Sequence, residues 1–507
     1  MASTTGGNGA GVRPWLVLLG VAVSLVAPIL AFGPPQTDSA WYNHLWTLEI
    51  AEELARGDPY PRWLSGSFEG LGSPTFYFYP PLAFLVSGGL DFVGLSTNAA
   101  IGVTALVFLA ASGAGMFTWL RFRRAPHPLL GAGLYMAAPY HLFDLYQRGA
   151  LAEFAALAWL PLIALGIEAL PRRWAVPLLA TATAGLLLTH LPMALLAGVF
   201  LIAPASVAAV WRNRGALLPG LFAGALGVGA AAFYLLPALT LQGHISEHLL
   251  WEPHFRPQVW FFWKPFPAEL AFLPVLAVVL AICAVRRTAF WGLIAAGSAA
   301  AAVGVIPSIW DIPLLAKAQF PWRLLGVAEF AAITALAEAS SRRRRAGAVA
   351  LALFTALLAV LNFAPRFLVP PDTPALHASR FDAPEYLPRD FRPQGLDRTA
   401  RKLDLSAYRD LPAGPAITVE QPARVVLRQT AFPIWRVTRD GQAVANRGPL
   451  ITFDASPGVY RVERVMLWQE QVGALVSVLA LMLLLVTTAW SFARRSAATD
   501  GGADARS

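Results

Sequence analysis

The chain has 507 residues, is 56% hydrophobic and only 14% charged, and its mean hydropathy is +0.54. Its apolar content far exceeds what a soluble core of this length needs, which excludes a soluble enzyme and predicts an integral membrane protein. The net charge of +9 does not point to nucleic acid, because the arginines fall in short clusters between apolar runs, where they orient helices on the cytoplasmic leaflet. Cys283 is the single cysteine and lies within an apolar run, so neither a disulfide framework nor a thiolate metal site is expected.

The first apolar run, Trp15 to Phe32, is long enough to span and is read as a retained helix, since no small-residue cleavage site follows it. Where it stops, "FGPPQTDSAWYNHLWTLEIAEELARGDPYPRWLSG" crowds Asp38, His44, Glu49, Glu52, Glu53, Arg62 and three tryptophans into residues 32–66. Within it, Ala40 to Arg56 reads as an amphipathic helix, with Trp41, Leu45, Leu48, Ala51 and Leu54 opposed by Asn43, Glu49, Glu52, Glu53 and Arg56. Asp38-Ser39 stands at its cap position. The apolar stretch 80–93 opens with Pro80-Pro81, contains Gly88-Gly89 and Asp91, and falls short of the roughly 20 residues a span needs, so it is laid on the membrane surface.

Further spans are expected at 98–119, 127–140, 150–170, 174–190, 192–211, 216–238, 269–285, 289–306, 324–340, 346–363 and 468–490. Arginine clusters at 121–124, 172–173, 212–214, 286–287, 342–345 and 494–495 punctuate them, and an even number of crossings between neighbouring clusters keeps every cluster cytoplasmic. The expectation is an α-helical polytopic membrane protein of about twelve transmembrane helices with both termini cytoplasmic. It divides into a transmembrane domain 1–363 with a first outer loop 34–97 and a second at 239–268, an extracytoplasmic β-rich domain 364–466, a final helix 467–490 and a disordered cytoplasmic tail 491–507. No fixed-period repeat is present, which counts against a transporter built from internal repeats.

Residues 365–413 are rich in Pro, Arg and Asp and read as irregular. From Ala416 onward β-branched and polar residues alternate between turn signals, with hairpins expected at Asp440-Gly441 and Pro457-Gly458, which predicts a small β-sandwich. Trp435 and Tyr460 stand in its strands, where aromatic residues pack a core more often than they meet a glycan.

With this topology the unusual polar residues fall on one side of the membrane. Tyr140, His141, Asp144, Arg148 and Glu153 come from "PYHLFDLYQRGALAEF", Thr189 and His190 from "LLLTHLP", His244, Glu247, His248 and His254 from "GHISEHLLWEPHFRP", and Lys317, Gln319, Trp322 and Arg323 from "AKAQFPWRLL". Aromatic residues and histidines anchor helix ends at the interface, and Trp41, Trp46, Trp63 and Trp251 fit that role. Carboxylates and arginines next to hydrocarbon need partners or water, and Glu329, well inside a span, calls for an arginine or a wet cavity. Two roles stand for Arg148, an ion pair with Asp144 or Glu153 and a phosphate contact. His244, Glu247 and His248 at i, i+3 and i+4 have a spacing compatible with a metal, but no matched third segment accompanies them, so neither a metal nor any other cofactor is expected.

The motifs "GDPYPRW", "GLGSPTFYFYPPL", "RGALAEF", "LTHLP" and "QFPWR", in this order after a "D…H" pair following the first span, cover roughly residues 14–340. They resemble bacterial membrane proteins labelled 6-pyruvoyl-tetrahydropterin synthase-related, thought to belong to the GT-C superfamily of glycosyltransferases. The C-terminal "FPIWRVTRDGQAV…SPGVYRVE" is similar to the terminal β-domain of YfhO-type membrane proteins, except that Ile434-Trp435 stands where those carry Gly-Trp.

The resemblance implies a GT-C-like architecture, a surface helix at "YPPLAFLVSGGL", and an aspartate after the first span, here Asp38, as the reaction's base, with His44 beside it. It implies a polyprenyl-phosphate-linked sugar as donor and a glycan, lipid or protein as acceptor, at the extracytoplasmic face of the bacterial inner membrane. Arg148 and Arg323 are then the first choices for donor phosphate, with Arg62, His190 and Lys264 behind them. Glu153, Tyr77, Tyr79, Gln319 and Trp322 line the substrate groove. A lipid-linked substrate flippase and a non-catalytic scaffold of envelope assembly are the rival readings.

Overall fold

The computed structural model describes residues 11–265, 267, 270–284, 289–368, 380–389, 391–397 and 402–500, the last nine of them by backbone alone. The arginines at 286–287 and the tail from 501 lie outside the described residues. Six helices are long and apolar enough to cross a membrane: Arg13–Phe32, Thr97–Phe122, Leu151–Ala169, Leu191–Arg212, Ser341–Phe367 and Trp468–Ser491. A seventh crossing arises if Arg214–Ala230 and Ala232–Thr240, bent by 71° at their junction, form one broken span. The protein is therefore a helical, multi-pass membrane protein.

Of the expected twelve spans, six or seven reach spanning length among the described residues. The runs at 127–140, 174–190, 269–285, 289–306 and 324–340 do become helices, but over Pro128–Met136, Ala175–Thr189, Phe272–Ala284, Ala289–Ala302 and Leu324–Ala337, of 9, 15, 13, 14 and 14 residues. The reasons are local. Pro139 restarts the helix after Ala137-Ala138 and a π-helical turn follows at Asp144–Arg148, while Leu324–Ala337 is buried along its whole length, a core element rather than a lipid-facing one.

The first loop folds as its pattern predicts. Helix α1 (Arg13–Phe32) ends at Gly33, and α2 (Ala40–Ala55) lies against the Leu82–Phe92 helix, whose 11 residues are too few to span. The two meet at a small residue: a Cβ on Gly88 would overlap the Ile50 side chain, and beside it the Thr47 and Ser87 hydroxyls bond at 2.8 Å. The cap of α2 differs from expectation. Ser39 is the capping residue and makes no side-chain bond to the first turn, and Asp38 immediately precedes it.

Residues 380–389, expected to be irregular, run across this loop and fasten it. Buried Asp382 accepts from Trp46 Nε1 at 2.7 Å, Ser67 Oγ at 2.9 Å, Thr75 Oγ1 at 2.5 Å and the Ala383 amide at 2.7 Å. Trp41 Nε1 donates to the Phe381 carbonyl at 2.7 Å, and the Ser246 amide to that of Leu387 at 2.9 Å, which ties in the second loop as well. Trp46 and Trp63 are buried rather than interfacial.

Beyond this segment a short ladder, β1 (Leu396–Asp397) with β2 (Lys402–Leu403), precedes a six-stranded region. Strands β3 (Ala416–Val419), β8 (Gly458–Arg464), β5 (Trp435–Arg439) and β6 (Gln442–Val444) form one antiparallel sheet in the order β3-β8-β5-β6, and β4 (Ala423–Thr430) pairs with β7 (Leu450–Ala455) in another. Apolar side chains of both sheets, among them Leu427, Val437, Ile451, Phe453 and Tyr460, make the core between them, as a sandwich requires. Asp440-Gly441 is the β5–β6 hairpin turn, both residues at positive φ (51° and 78°). Pro457-Gly458 makes no hairpin: it carries the chain from the two-stranded sheet to the four-stranded one.

The final helix (Trp468–Asp500) is anchored at its start. Arg62 donates to Glu470 Oε1 at 2.8 Å and to the Phe233 carbonyl at 3.1 Å, and Tyr77 donates to the same Glu470 oxygen at 2.9 Å. Both partners of the Arg62–Glu470 pair are more than nine-tenths buried, so breaking it strands a charge. Arg62→Ala is expected to destabilise the protein by about 3–5 kcal/mol, seen as a drop in the midpoint of thermal unfolding in detergent, whereas exposed Arg214→Ala leaves that midpoint unchanged.

Glu49, on α2 outside the spans, is buried beside Asp382, and desolvation, then that neighbouring carboxylate, push its carboxyl well above the ordinary carboxylate range, with Arg380 opposing. A carboxyl whose folded pKa is raised contributes stability at low pH that is lost as pH rises through that folded value. Glu49→Gln is therefore expected to flatten the fall of the unfolding midpoint above the usual carboxylate range, measured from acid to pH 9.

Candidate functional site

Two segments 170 residues apart in sequence converge on one carboxylate. Arg148 closes the π-helical turn Asp144–Arg148, Glu153 sits in the first turn of the Leu151–Ala156 helix, and Arg323 ends the short turn Pro321–Arg323. Glu153 Oε2 accepts from Arg148 Nη1 at 2.7 Å and Arg323 Nε at 2.9 Å, while Oε1 accepts from Tyr140 Oη at 2.6 Å. Arg148 Nη1 also donates to Asp144 at 2.7 Å, and Arg323 Nη1 to the Ala318 carbonyl at 2.6 Å. Phe320 lies under both guanidinium groups, 6.0 Å from that of Arg148 and 4.9 Å from that of Arg323. This is a run of alternating charge, Asp144–Arg148–Glu153–Arg323, in which Arg148 and Glu153 each hold two ionic partners. The expected ion pair of Arg148 is present with both Asp144 and Glu153.

These groups open onto a cavity of about 170 Å³ lined by Arg148, Glu153, His190, Arg323, Tyr79 and Trp46, among others. Its remaining walls come from Ser39, Tyr42 and Asn43 on the first loop and from Ala383, Glu385 and Tyr386 of the fastening segment. His190 is held by the helix it begins, its Nδ1 accepting from the Met193 amide at 3.2 Å. Gly149 has φ +61°, and a Cβ there would overlap Thr37, so only a glycine lets the turn at 37–39 lie against the arginine loop. That contact is secured by the Ser39 amide on the Arg148 carbonyl at 3.0 Å and by Asn43 Nδ2 on the Gly149 carbonyl at 2.5 Å.

The structure thus brings together Arg148, Arg323, His190, Glu153 and Tyr79 of the residues expected from sequence, and separates the others. Asp38 is exposed at the rim, and its neighbour Ser39 lines the cavity in its place. His44 is buried in α2 outside the lining. Arg62 and Tyr77 belong to the Glu470 cluster, which removes them from a phosphate site and a substrate groove at this cavity. Lys264 is exposed elsewhere. Gln319 donates to the Leu250 carbonyl at 3.1 Å, and Trp322 stacks on Phe320 at 4.8 Å, so both support the wall from behind. Among the described residues Glu329 is met by backbone donors instead of an arginine: its oxygens accept from the Tyr140 and His141 amides at 2.6 and 3.2 Å, at the start of a helix where amides lack internal partners.

Among the described residues no group of three or more His, Cys, Asp or Glu is arranged to hold a metal. His244 ends one 3-10 turn and Glu247 and His248 begin another, so they do not share the single helical face expected for them. His248 Nε2 meets Arg392 Nη2 at 2.9 Å. Glu385 and Tyr386 were missed from sequence because the segment that carries them has no period to read. The run of buriable residues in "FDAPEYLP" was the only sign.

No family model matches the chain, and no curated protein matches it. Among solved structures it is similar to the mycobacterial arabinofuranosyltransferase AftD, with 17% identity and a TM-score of 0.42 over 71% of this chain and 27% of that one. So remote a likeness carries no argument here, and the geometry of the cavity has to.

Removing the shared carboxylate leaves two buried guanidinium groups facing each other. Glu153→Gln is expected to cost about 3–5 kcal/mol, read as a lowered unfolding midpoint, and Tyr140→Phe, which removes one neutral donor from the same oxygen pair, about 1 kcal/mol.

Proposed function

We propose that the protein is a membrane glycosyltransferase of the GT-C type, taking a sugar from a polyprenyl-phosphate donor and passing it to a glycan, lipid or protein acceptor at the extracytoplasmic face of the bacterial inner membrane. The observation that carries the reading is the convergence of Arg148 and Arg323 on one cavity, at positions that the resemblance to the 6-pyruvoyl-tetrahydropterin synthase-related proteins marks. A guanidinium has five N–H donors. The carboxylate contacts engage Nη1 of Arg148 and Nε of Arg323, and the groups' other edges suit the oxygens of a phosphate. Glu153 acts as the brace that keeps the pair in place before substrate arrives.

In the reaction the acceptor oxygen attacks the anomeric carbon, the bond from that carbon to the donor's phosphate oxygen breaks, and the electron pair stays on the phosphate. The arginines stabilise the charge that gathers there. A carboxylate receives the acceptor's proton, a step worth roughly 10²–10⁴-fold. The resemblance gives that role to Asp38, at the rim; the cavity itself offers Glu385, half-exposed in its lining.

Reconstitution in proteoliposomes with a lipid-linked sugar tests the reading. Arg323→Ala is expected to weaken donor binding and abolish formation of the glycosidic bond. Asp38→Asn is expected to keep donor binding and slow transfer about 10²-fold. Full turnover in Asp38→Asn alongside loss in Glu385→Gln hands the base to Glu385, and movement of donor across the bilayer without bond formation defeats the transferase reading.

A further inference from the structure

A second cavity, of about 390 Å³, lies between the first loop and the β-domain, and none of its lining residues lines the cavity described above. From the loop come Glu53, Arg56, Asp58 and Trp63, and from the β-domain side Arg428, Trp435 and Arg464. We propose that this cleft binds an oligosaccharide. As the place where a glycan acceptor is held for transfer, the inference rests on the function proposed above; as a binding site it stands on its own.

The chemistry of the walls is the argument. Sugars present apolar C–H faces edged by hydroxyls that both donate and accept, so they suit aromatic rings flanked by charged groups of both signs. Trp63 and Trp435 meet edge to face, with centroids 5.3 Å apart. The position of Trp63 is imposed by Gly72, at φ +81°, where any Cβ would overlap the indole. The charged groups are fixed in pairs: Arg56 Nη1 donates to Glu53 Oε1 at 2.6 Å, and Arg464 Nη1 to Asp58 Oδ2 at 3.0 Å. About half of the Arg56 side chain and over a third of that of Arg464 remain exposed.

Two buried donors, Trp435 Nε1 and Arg428 Nε, have no hydrogen-bond partner among the described residues. A buried donor left unmatched is costly, and both belong to residues that line this cleft. The volume lies within the range of small-ligand sites. An apolar ligand would take the exposed parts of Arg56 and Arg464 out of water without replacing it, and a purely anionic one would face Glu53 and Asp58.

The test is binding of the full chain, in detergent micelles or nanodiscs, to an array of immobilised hexose and pentose oligosaccharides. Binding to at least one of them is expected, weakened roughly tenfold or more by Trp435→Ala and by Arg56→Ala. Arg56 is exposed, so its substitution leaves folding intact, and Trp435→Phe, which keeps the ring and loses the N–H, is expected to fall in between. Arg323→Ala is expected to keep this binding while losing transfer, which separates failure of the transferase reading from failure of this one. Absence of binding across the array, or binding that neither Trp435→Ala nor Arg56→Ala weakens, overturns the cleft.

Discussion

The carboxylate of Asp382 is what the architecture turns on. Its two oxygens gather an indole N–H from α2, two hydroxyls from the first loop and a backbone amide of its own segment, so it is fully satisfied although wholly buried. A buried carboxylate is tolerable only when its acceptor capacity is used in this way. Because it is met, residues 380–389 stay against the first loop, and Ala383, Glu385 and Tyr386 reach the arginine cavity. Arg380, at the same crossing, bonds Glu52 at 2.6 Å and keeps the segment in register.

The charged cluster at the cavity does a different job from stabilising the fold. Replacing a buried ion cluster by apolar residues is often neutral or favourable for stability, so four charges at Asp144, Arg148, Glu153 and Arg323 are hard to explain as structural cement. They do fix where two guanidinium groups point before anything binds, and preorganised charge is what an anionic leaving group uses. Phe320 beneath both cations and Trp322 stacked behind it make one wall of this site rigid and apolar, which strengthens the electrostatics inside.

Much of this was legible in the sequence, for a reason that is itself physical. In a chain so apolar, a carboxylate or arginine near a helix end is expensive, and Arg148, Glu153, His190 and Arg323 stood out on that ground. The short helix Leu82–Phe92 was readable because 80–93 is too short and too broken by proline and glycine to span. What failed was pairing at long range. Arg62 looked like one more cation of the same site until Glu470, 408 residues away, claimed it. Trp46 and Trp63 looked like interfacial anchors because their partners Asp382 and Trp435 lie hundreds of residues away, and the segment bearing Asp382 has no periodicity to read. The number of crossings was not fixed by the apolar runs alone, because such a run identifies a buried core helix as readily as a span, and Leu324–Ala337 is buried along its whole length.

One wall of the arginine cavity, Ala383, Glu385 and Tyr386, follows every one of its charged and histidine residues in the chain, Arg148, Glu153, His190 and Arg323. During synthesis Arg148, Glu153, His190 and then Arg323 precede the segment bearing Glu385 and Tyr386, so a nascent chain completes its cation pair before it has a closed chamber. Enclosure is therefore a late event in maturation, and any chain cut between residues 363 and 380 keeps the charges and forfeits the enclosure.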